Sequence, residues 1–401
     1  MLDKIEFFDC DKNRGIIYNW KRLYKEYKKL KCPKHLYNPF TVDFSRGAYN
    51  MVLSDRSAGK TTNCILLGLL MYRDYGTTPH IIRQSKEMCE PKNIKDMFRT
   101  ILEFDYISKI FDGEYNSVRY RGKRWTLLQV DEDGHIIRES EPVIYCFGLD
   151  EYQNLKSAHN APRGDLIIFD EFISSVFGYD DFFRFMDELK TILRDRRGYI
   201  YMLSNTINKN SPWFDEFCIR DEIEPIEQGQ DCYIKTELGT GIHFQILSPV
   251  RTEQRLFINT WLFGFHNKKL AAITGSQTYA TENYQHIPKS KDAEPTMIFS
   301  RLFVLQSGKY VKLDLVRTAE IGLCVYVHRA NRLYPDGIVL THDNIIDSRY
   351  QFGFGNKNSK ILKTIWRLYA GNRFFYATNS DGALIKAYIS MVQTKQREML
   401  L

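Results

Sequence analysis

The chain has 401 residues, 43% hydrophobic and 26% charged, with 12 prolines and a formal net charge of +7. This composition fits a globular protein of two or three domains and excludes a disordered or fibrous chain, and the basic balance suits a polyanionic partner. The eight cysteines form no C-x-x-C pair and no His/Cys cluster, so neither zinc nor disulfides are expected; the opening MLDKIEFFDCDKN has no apolar signal core and no apolar run reaches the ~18 residues needed to span a bilayer, so no membrane partner is expected.

Residues 12–34 carry nine Lys/Arg against one acid, Glu26, and Trp20, Leu23, Tyr24, Tyr27 and Leu30 recur at helical spacing. The spacing predicts a basic amphipathic helix ending near Pro33. Either it packs on the following domain with a solvated basic face, or it contacts DNA or RNA. Residues 1–44 are read as a basic helical extension.

From 45 to 210 strands and helices alternate. AYNMVLS, PHIIRQS, DLIIFDEF and GYIYMLSNT read as strands. KTTNCILLGLLMYRDYG (closing on Gly76), NIKDMFRTILEFDYISKIF and FFRFMDELKTILRDRR read as helices. SVRYRGKRWTLLQVD and HIIRESEPVIYCFGL read as a β-hairpin or edge pair. Strands separated by helices indicate parallel βαβ units. Residues 211–294 are mixed, with polar turns around Gly239-Thr240-Gly241, and are read as a helical and irregular linker. From 295 onward, strands are followed by two helices, NSKILKTIWRLYAG and SDGALIKAYISMVQTKQREML, giving a smaller second α/β domain.

VLSDRSAGKTT, 52–62, approaches the P-loop pattern G-x-x-x-x-G-K-[ST]. In a P-loop, backbone N–H groups and the following helix dipole hold phosphates, the lysine reaches the β/γ-phosphates and the next hydroxyl holds Mg²⁺. Ser54 stands where the first glycine belongs and can fill that turn if its φ stays negative. Ser54, Arg56, Ser57, Ala58, Gly59, Lys60, Thr61 and Thr62 are therefore candidates for binding ATP. Asp170 and Glu171 end the apolar strand DLIIFDEF, at the strand edge where open α/β sheets bind ligands. Asp170 joins Thr61 as a candidate for Mg²⁺, and Glu171 is the candidate general base. Asn205, at the tip of the next strand, can sense the γ-phosphate. Arg194 ends the helix before that strand and is expected at the rim of the nucleotide edge, where an arginine can reach a neighbour's γ-phosphate; Arg196 is the alternative. Arg121, Lys123 and Arg124 in the basic hairpin RYRGKR are phosphate candidates or a solvated turn.

The order SAGKT, HIIRQSK, KSAHNAPRGDLIIFDEF, ELKTILRDRR, MLSNT, SPWF resembles the DNA-packaging (encapsidation) ATPases of small podophages, the phi29-like motors, which are akin to large terminases and HerA/FtsK-type translocases. The resemblance is specific over about 45–215 and weaker over 295–401. It implies a P-loop ATPase domain of ASCE type at 45–210 and a smaller, RNase H-like C-terminal domain at 295–401 lacking nuclease residues. It further implies a homopentameric ring on the portal (connector) of a prohead, driving double-stranded DNA inward, in the host cytoplasm and absent from the mature virion. By resemblance Lys60 and Thr61 take the P-loop roles, Asp170 and Glu171 the Walker B roles, Arg194 the trans-acting finger and Asn205 the coupling position. Lys86 and Lys156 match lysines that face DNA in the channel, and Arg83 precedes Lys86 on the same strand end. Phosphate contacts suit a motor that must grip any sequence.

A terminase nuclease needs clustered acids on two metals. Asp314, Asp336, Asp343, Asp347 and Asp381 are scattered, while Lys309, Lys312, Lys357, Lys360 and Lys363 suit docking to portal or a packaging RNA. Two alternatives stand beside the motor: a terminase that also cuts DNA, and a portal-docking protein with a degenerate P-loop.

Overall fold

The computed structural model describes residues 18–44, 46–54, 58–151, 164–173, 180–194, 196–205, 209, 211–248, 285, 295–306, 309–330, 332–341, 349–353 and 359–398. They fall into two compact units: Met1–Ser174, Asp181–Ile207 and Asp221–Tyr279 in the first, and Ser175–Asp180, Asn208–Arg220 and Ala280–Leu401 in the second.

The first unit is built on a nine-stranded sheet in the order β3-β4-β5-β2-β6-β7-β1-β9-β8. Its strands are β1 (Tyr49–Leu53), β2 (His80–Arg83), β3 (Ser117–Arg121), β4 (Arg124–Val130), β5 (Ile136–Gly148), β6 (Leu166–Asp170), β7 (Tyr199–Ser204), β8 (Asp231–Lys235) and β9 (Gly241–Ile246). The six central strands, β5 through β9 in sheet order, run parallel. β3-β4 and β8 extend the two ends antiparallel. Every residue of β6 and β7 is buried, as continuous apolar strands covered on both faces should be.

Two long helices flank the parallel strands in sequence. α2 (Lys60–Tyr75) buries Lys60 and every residue from Asn63 to Met71, and stops at Gly76 with φ +66. α3 (Asp181–Leu193) joins β6 to β7. Ahead of them, α1 (Trp20–Lys29) starts on Asn19, whose side chain accepts the Arg22 amide at 2.9 Å. Its apolar stripe, Trp20, Leu23, Tyr27 and Leu30, joins the core that contains α2 and the sheet, and Trp20 stacks on Phe44 at 3.9 Å. Each such buried side chain contributes roughly 1.5–3 kcal/mol of transfer energy. Lys21, Arg22, Lys25, Lys28 and Lys29 are exposed on the other face. Of the two readings of this helix, the packed one describes its geometry.

Two segments differ from the sequence expectation. Residues 93–111 do not form one helix. Short helical turns at Pro91–Ile94, Lys95–Phe98, Arg99–Glu103 and Tyr106–Ile110 follow one another. Buried Ile94, Phe98 and Ile101 keep helical spacing, but Tyr106 and Ile107 come too late for it. Asp105, at φ +53, resets the chain direction, and its carboxylate accepts the Ser108 hydroxyl at 2.6 Å. The second difference lies in 211–294, expected as helical and irregular. Its described part holds β8 and β9, and β9 pairs along β1 from Tyr49↔Ile242 to Leu53↔Ile246. The central sheet therefore continues past residue 210.

The second unit carries a six-stranded sheet, β14-β13-β10-β11-β12-β15, from β10 (Thr296–Gln306), β11 (Lys309–Thr318), β12 (Gly322–Arg329), β13 (Ile338–Thr341), β14 (Tyr350–Phe352) and β15 (Phe374–Tyr376). β10-β11-β12 form an antiparallel meander. β13 adds parallel to β10, β14 to β13 and β15 to β12. Leu302, Val304, Leu313, Val325 and Val327 pack with Leu362 and Ile365 of α4 (Lys360–Ala370) and Ile385 and Tyr388 of α5 (Asn379–Glu398). Among the described residues no helix is long and apolar enough to cross a membrane.

Candidate active site

The parallel registers Leu53↔Ser204 and Asp170↔Leu203 bring the ends of β1, β7 and β6 side by side, with β2 beyond β6. Ser54, Asn205, Glu171 and Arg83 thus arrive at one edge of the sheet, the carboxyl edge where open α/β sheets bind ligands. Because β7 lies between β1 and β6, the tip residue Asn205 sits between the loop and the acids.

A single hydrogen-bonded network runs through this edge. Ser54, 1% exposed, donates its amide to Ser204 O at 3.2 Å and is not among the non-glycine residues with positive φ, so serine fills the glycine position without strain. Its hydroxyl accepts Lys60 Nζ at 2.5 Å, and the same Nζ donates to Asn205 Oδ1 at 2.9 Å. Asn205 Nδ2 donates to Glu171 Oε1 at 3.2 Å. Arg83 donates Nη2 to Glu171 Oε2 at 3.0 Å and Nη1 to Asp170 Oδ2. Asp170 Oδ1 accepts the Thr61 hydroxyl at 2.7 Å, and Thr61 follows Lys60. Glu171 holds φ +57, a conformation that residues with a β-carbon adopt when their surroundings fix it, often at functional sites.

The loop backbone is held from the amino-terminal segment. Ala58 O accepts the Tyr37 amide at 2.8 Å. Gly59 caps α2 at φ +73, and a β-carbon there would lie 3.1 Å from both Leu36 Cβ and Asn63 Nδ2. Thr62, three residues after Gly59, is half-buried. Arg56 and Ser57 lie outside the described residues.

Two carboxylates face two cations here. Burial pushes the Asp170 carboxyl up, opposed by the Arg83 charge and by the Thr61 hydrogen bond. The hydroxyl and carboxylate oxygens at 2.7 Å approach the edge, about 3 Å, of an octahedron with Mg–O distances near 2.1 Å. Thr61 and Asp170 thus fit Mg²⁺, buried Lys60 fits a phosphate, and Glu171 fits a base for water.

The structure corrects the DNA assignment of Arg83. Its side chain is 15% exposed and is paired with both acids. The sequence held a hint: HIIR is an apolar strand ending at the same edge as LIIFD. Lys86 is exposed, with its amide on Asp150 Oδ1 at 2.6 Å. Arg121 and Arg124 are exposed and paired across the β3–β4 turn, where Gly122 and Lys123 both have positive φ. Lys123 pairs with Glu151, and Cys146 N donates to Lys123 O at 2.9 Å, which fixes the hairpin tip at the carboxyl edge. Lys156 lies outside the described residues.

The location expected for Arg194 is also corrected. α3 starts after the carboxyl end of β6 and returns to the start of β7, so Arg194 lies at the opposite, amino edge. Arg196, two residues on, pairs with Asp165, the residue just before β6. At about 3.3 Å per strand residue, Arg194 is far beyond reach of its own chain's Lys60. It is exposed.

In the second unit, Asp314 pairs with His328 and Lys312, Asp381 with Arg329, and Asp336 with Arg301. Asp343, Asp347 and Lys357 lie outside the described residues. Among the described residues, the group of three His/Asp side chains close enough to share an ion is Asp131, Asp133 and His135 in the first unit, all exposed.

No protein-family model and no curated protein matches the sequence. Solved structures do match. The Phi-28 gp11 DNA packaging motor superposes with a TM-score of 0.52 at 16% identity, over 90% of this chain and 99% of the other. The bacteriophage Phi-29 viral genome packaging motor assembly superposes with a TM-score of 0.52 at 15% identity, over 92% and 99%. The chain shares the mixed α/β fold of these phage packaging motors.

Proposed function

We propose that this chain is an ATP-driven translocase of double-stranded DNA that packages a viral genome into a prohead. The observation that carries the reading is the continuous network Ser54–Lys60–Asn205–Glu171–Arg83–Asp170–Thr61, which joins candidates for nucleotide, metal and water in one chain of contacts. The fold shared with two packaging motors supports it.

In the arrangement seen, Lys60 is parked on Ser54 and Asn205. On ATP binding it moves to the β/γ-phosphates, which outcompete two neutral oxygens for its charge. Bound at Thr61 and Asp170, Mg²⁺ would neutralise phosphate charge. Glu171 takes the proton of the attacking water on a carboxylate oxygen. Asn205, touching both Lys60 and Glu171, links phosphate occupancy to the base. Arg83 stands between the two acids and shields them from each other; Asp170 would be free to hold Mg²⁺ once that pairing loosens.

The chain works as a ring, a pentamer by resemblance, on the portal of a prohead in the host cytoplasm. Arg194, remote from its own nucleotide site, serves the neighbouring one. Lys86, Lys156, Arg121, Lys123 and Arg124 contact DNA phosphates, which gives a sequence-independent grip. The ATPase domain runs through β9. The second unit is an RNase H-like docking module for portal or packaging RNA; its meander flanked by parallel strands supports that fold, and the pairing of Asp314, Asp336 and Asp381 with cations or histidine argues against a nuclease.

The test is displacement of a labelled third strand from a linear duplex by the full chain with ATP. Wild-type chain is expected to displace it and Lys60→Ala is not. Hydrolysis without displacement, on free duplex and on proheads, would refute the motor.

A further inference from the structure

Tyr18 and Asp165 meet at the amino edge of the sheet, opposite the nucleotide site, and hold the turn that carries Arg194. Asp165 is 1% exposed. Its Oδ1 accepts Arg196 Nε at 3.2 Å and its Oδ2 accepts the Tyr18 hydroxyl at 2.7 Å. Having given its one proton to Asp165, the Tyr18 oxygen accepts from Thr77 Oγ1, 2.7 Å away. The Asp165 carbonyl accepts the Tyr199 amide at 2.8 Å, which starts β7.

Arg196 closes the turn from the other side. Its Nη2 donates to Ile192 O at 3.0 Å and its amide to Leu193 O at 2.9 Å, satisfying carbonyls that the end of α3 leaves unpaired. Gly198 completes it: a β-carbon there would lie 2.4 Å from Leu193 Cδ2. Between these fixed points stands exposed Arg194 at φ +45. A residue with a β-carbon persists in that conformation only where its surroundings determine it.

We infer that Tyr18, Asp165 and Arg196 are positioning residues for Arg194, so that the amino-terminal segment shapes the site of the neighbouring subunit. The inference rests on the reading of Arg194 as a group acting in trans. Arg196 is committed to Asp165 and to the helix end, and would have to abandon a buried carboxylate to act elsewhere. A finger must meet the transferring phosphoryl group within about 1 Å, and misplacement on that scale costs on the order of 10²-fold in rate.

The test is allele-specific complementation in the full chain. Asp165→Asn weakens the carboxylate's hold on Arg196, and Tyr18→Phe removes only a hydroxyl and keeps the ring. Each variant is assayed for ATP hydrolysis unassembled and assembled with double-stranded DNA. Unassembled turnover and KM for ATP should match wild type, while assembled turnover falls, on the order of 10²-fold for Asp165→Asn and less for Tyr18→Phe. Assemblies of Asp165→Asn mixed with Glu171→Gln should regain hydrolysis, because each chain supplies what the other lacks. Mixtures of Asp165→Asn with Arg194→Ala should not. Equal behaviour in the two mixtures, or equal loss in the unassembled chain, would reduce the network to fold maintenance and overturn the inference. If Arg194→Ala itself fails to complement Glu171→Gln, the trans reading of Arg194 fails first, and this inference with it.

Discussion

Thr61 Oγ1 donates to Asp170 Oδ1 at 2.7 Å, although the two residues are 109 positions apart. One opens the helix after β1 and the other closes β6, two strands away in the sheet. Parallel register brings them together, and the shared contact places a hydroxyl and a carboxylate where one divalent ion can use both.

Lys60→Ala should abolish ATP turnover and leave the fold intact. Lys60 lies at the rim of the sheet, where its hydrogen bonds go to the Ser54 hydroxyl and the Asn205 amide oxygen, and Arg83 stays paired with both acids when Lys60 is removed. Turnover measured beside a circular dichroism spectrum checks this. Turnover near wild type would remove the phosphate role.

Ser54→Gly bears on the parking contact. Glycine tolerates the turn, and losing the hydroxyl frees Lys60 from a competing acceptor at 2.5 Å. ATP affinity should rise, by no more than about 10²-fold if one hydrogen bond to a charged group is lost, with turnover within a few-fold of wild type. Isothermal titration with a non-hydrolysable analogue measures it. Weakened binding would show that the hydroxyl holds nucleotide rather than lysine.

Arg83→Gln should shift the pH dependence of Mg·ATP binding. Burial raises the Asp170 pKa and the Arg83 charge opposes the rise. Without Arg83 the carboxyl holds its proton to higher pH, and that proton competes with the metal. Binding should therefore fail at a higher pH in the variant than in wild type as acid is added. Coincident acid limbs would contradict the pairing of Arg83 with Asp170.

Glu188 offers a test of stability. It is 1% exposed on α3, neither carboxyl oxygen has a hydrogen-bond partner among the described residues, and burial pushes its pKa up to about 9. The folded state holds it protonated, while the unfolded chain releases the proton from about pH 4.5 upward. Its cost is therefore absent in acid, grows as pH rises toward 9 and is about 3 kcal/mol at pH 7. Glu188→Gln should raise the denaturation midpoint at pH 8 and change it little at pH 4. An equal shift at both pH values would contradict the burial of an unpaired acid.

What the sequence made legible was local. GKTT after an apolar strand, and an acidic pair ending LIIFD, announce their chemistry within a few residues. The contacts that escaped it are distant. Arg83 reads as a basic residue beside Lys86 until β2 is known to lie against β6, 87 positions on. β9 escaped because its partner β1 precedes it by some 190 residues, and the turn at Gly239 read as linker. Arg194 stands close to Asn205 in sequence, yet the length of β7 puts them at opposite edges of the sheet.

The most direct measurement compares ATP hydrolysis by the full chain and by Glu171→Gln, each with and without double-stranded DNA. Glutamine keeps the shape of Glu171 and its contact with Asn205 but cannot take a proton from water. The account predicts that DNA stimulates the wild-type chain, and that the variant binds ATP equally well but hydrolyses it at least 10²-fold more slowly. Equal hydrolysis by the two chains would contradict it.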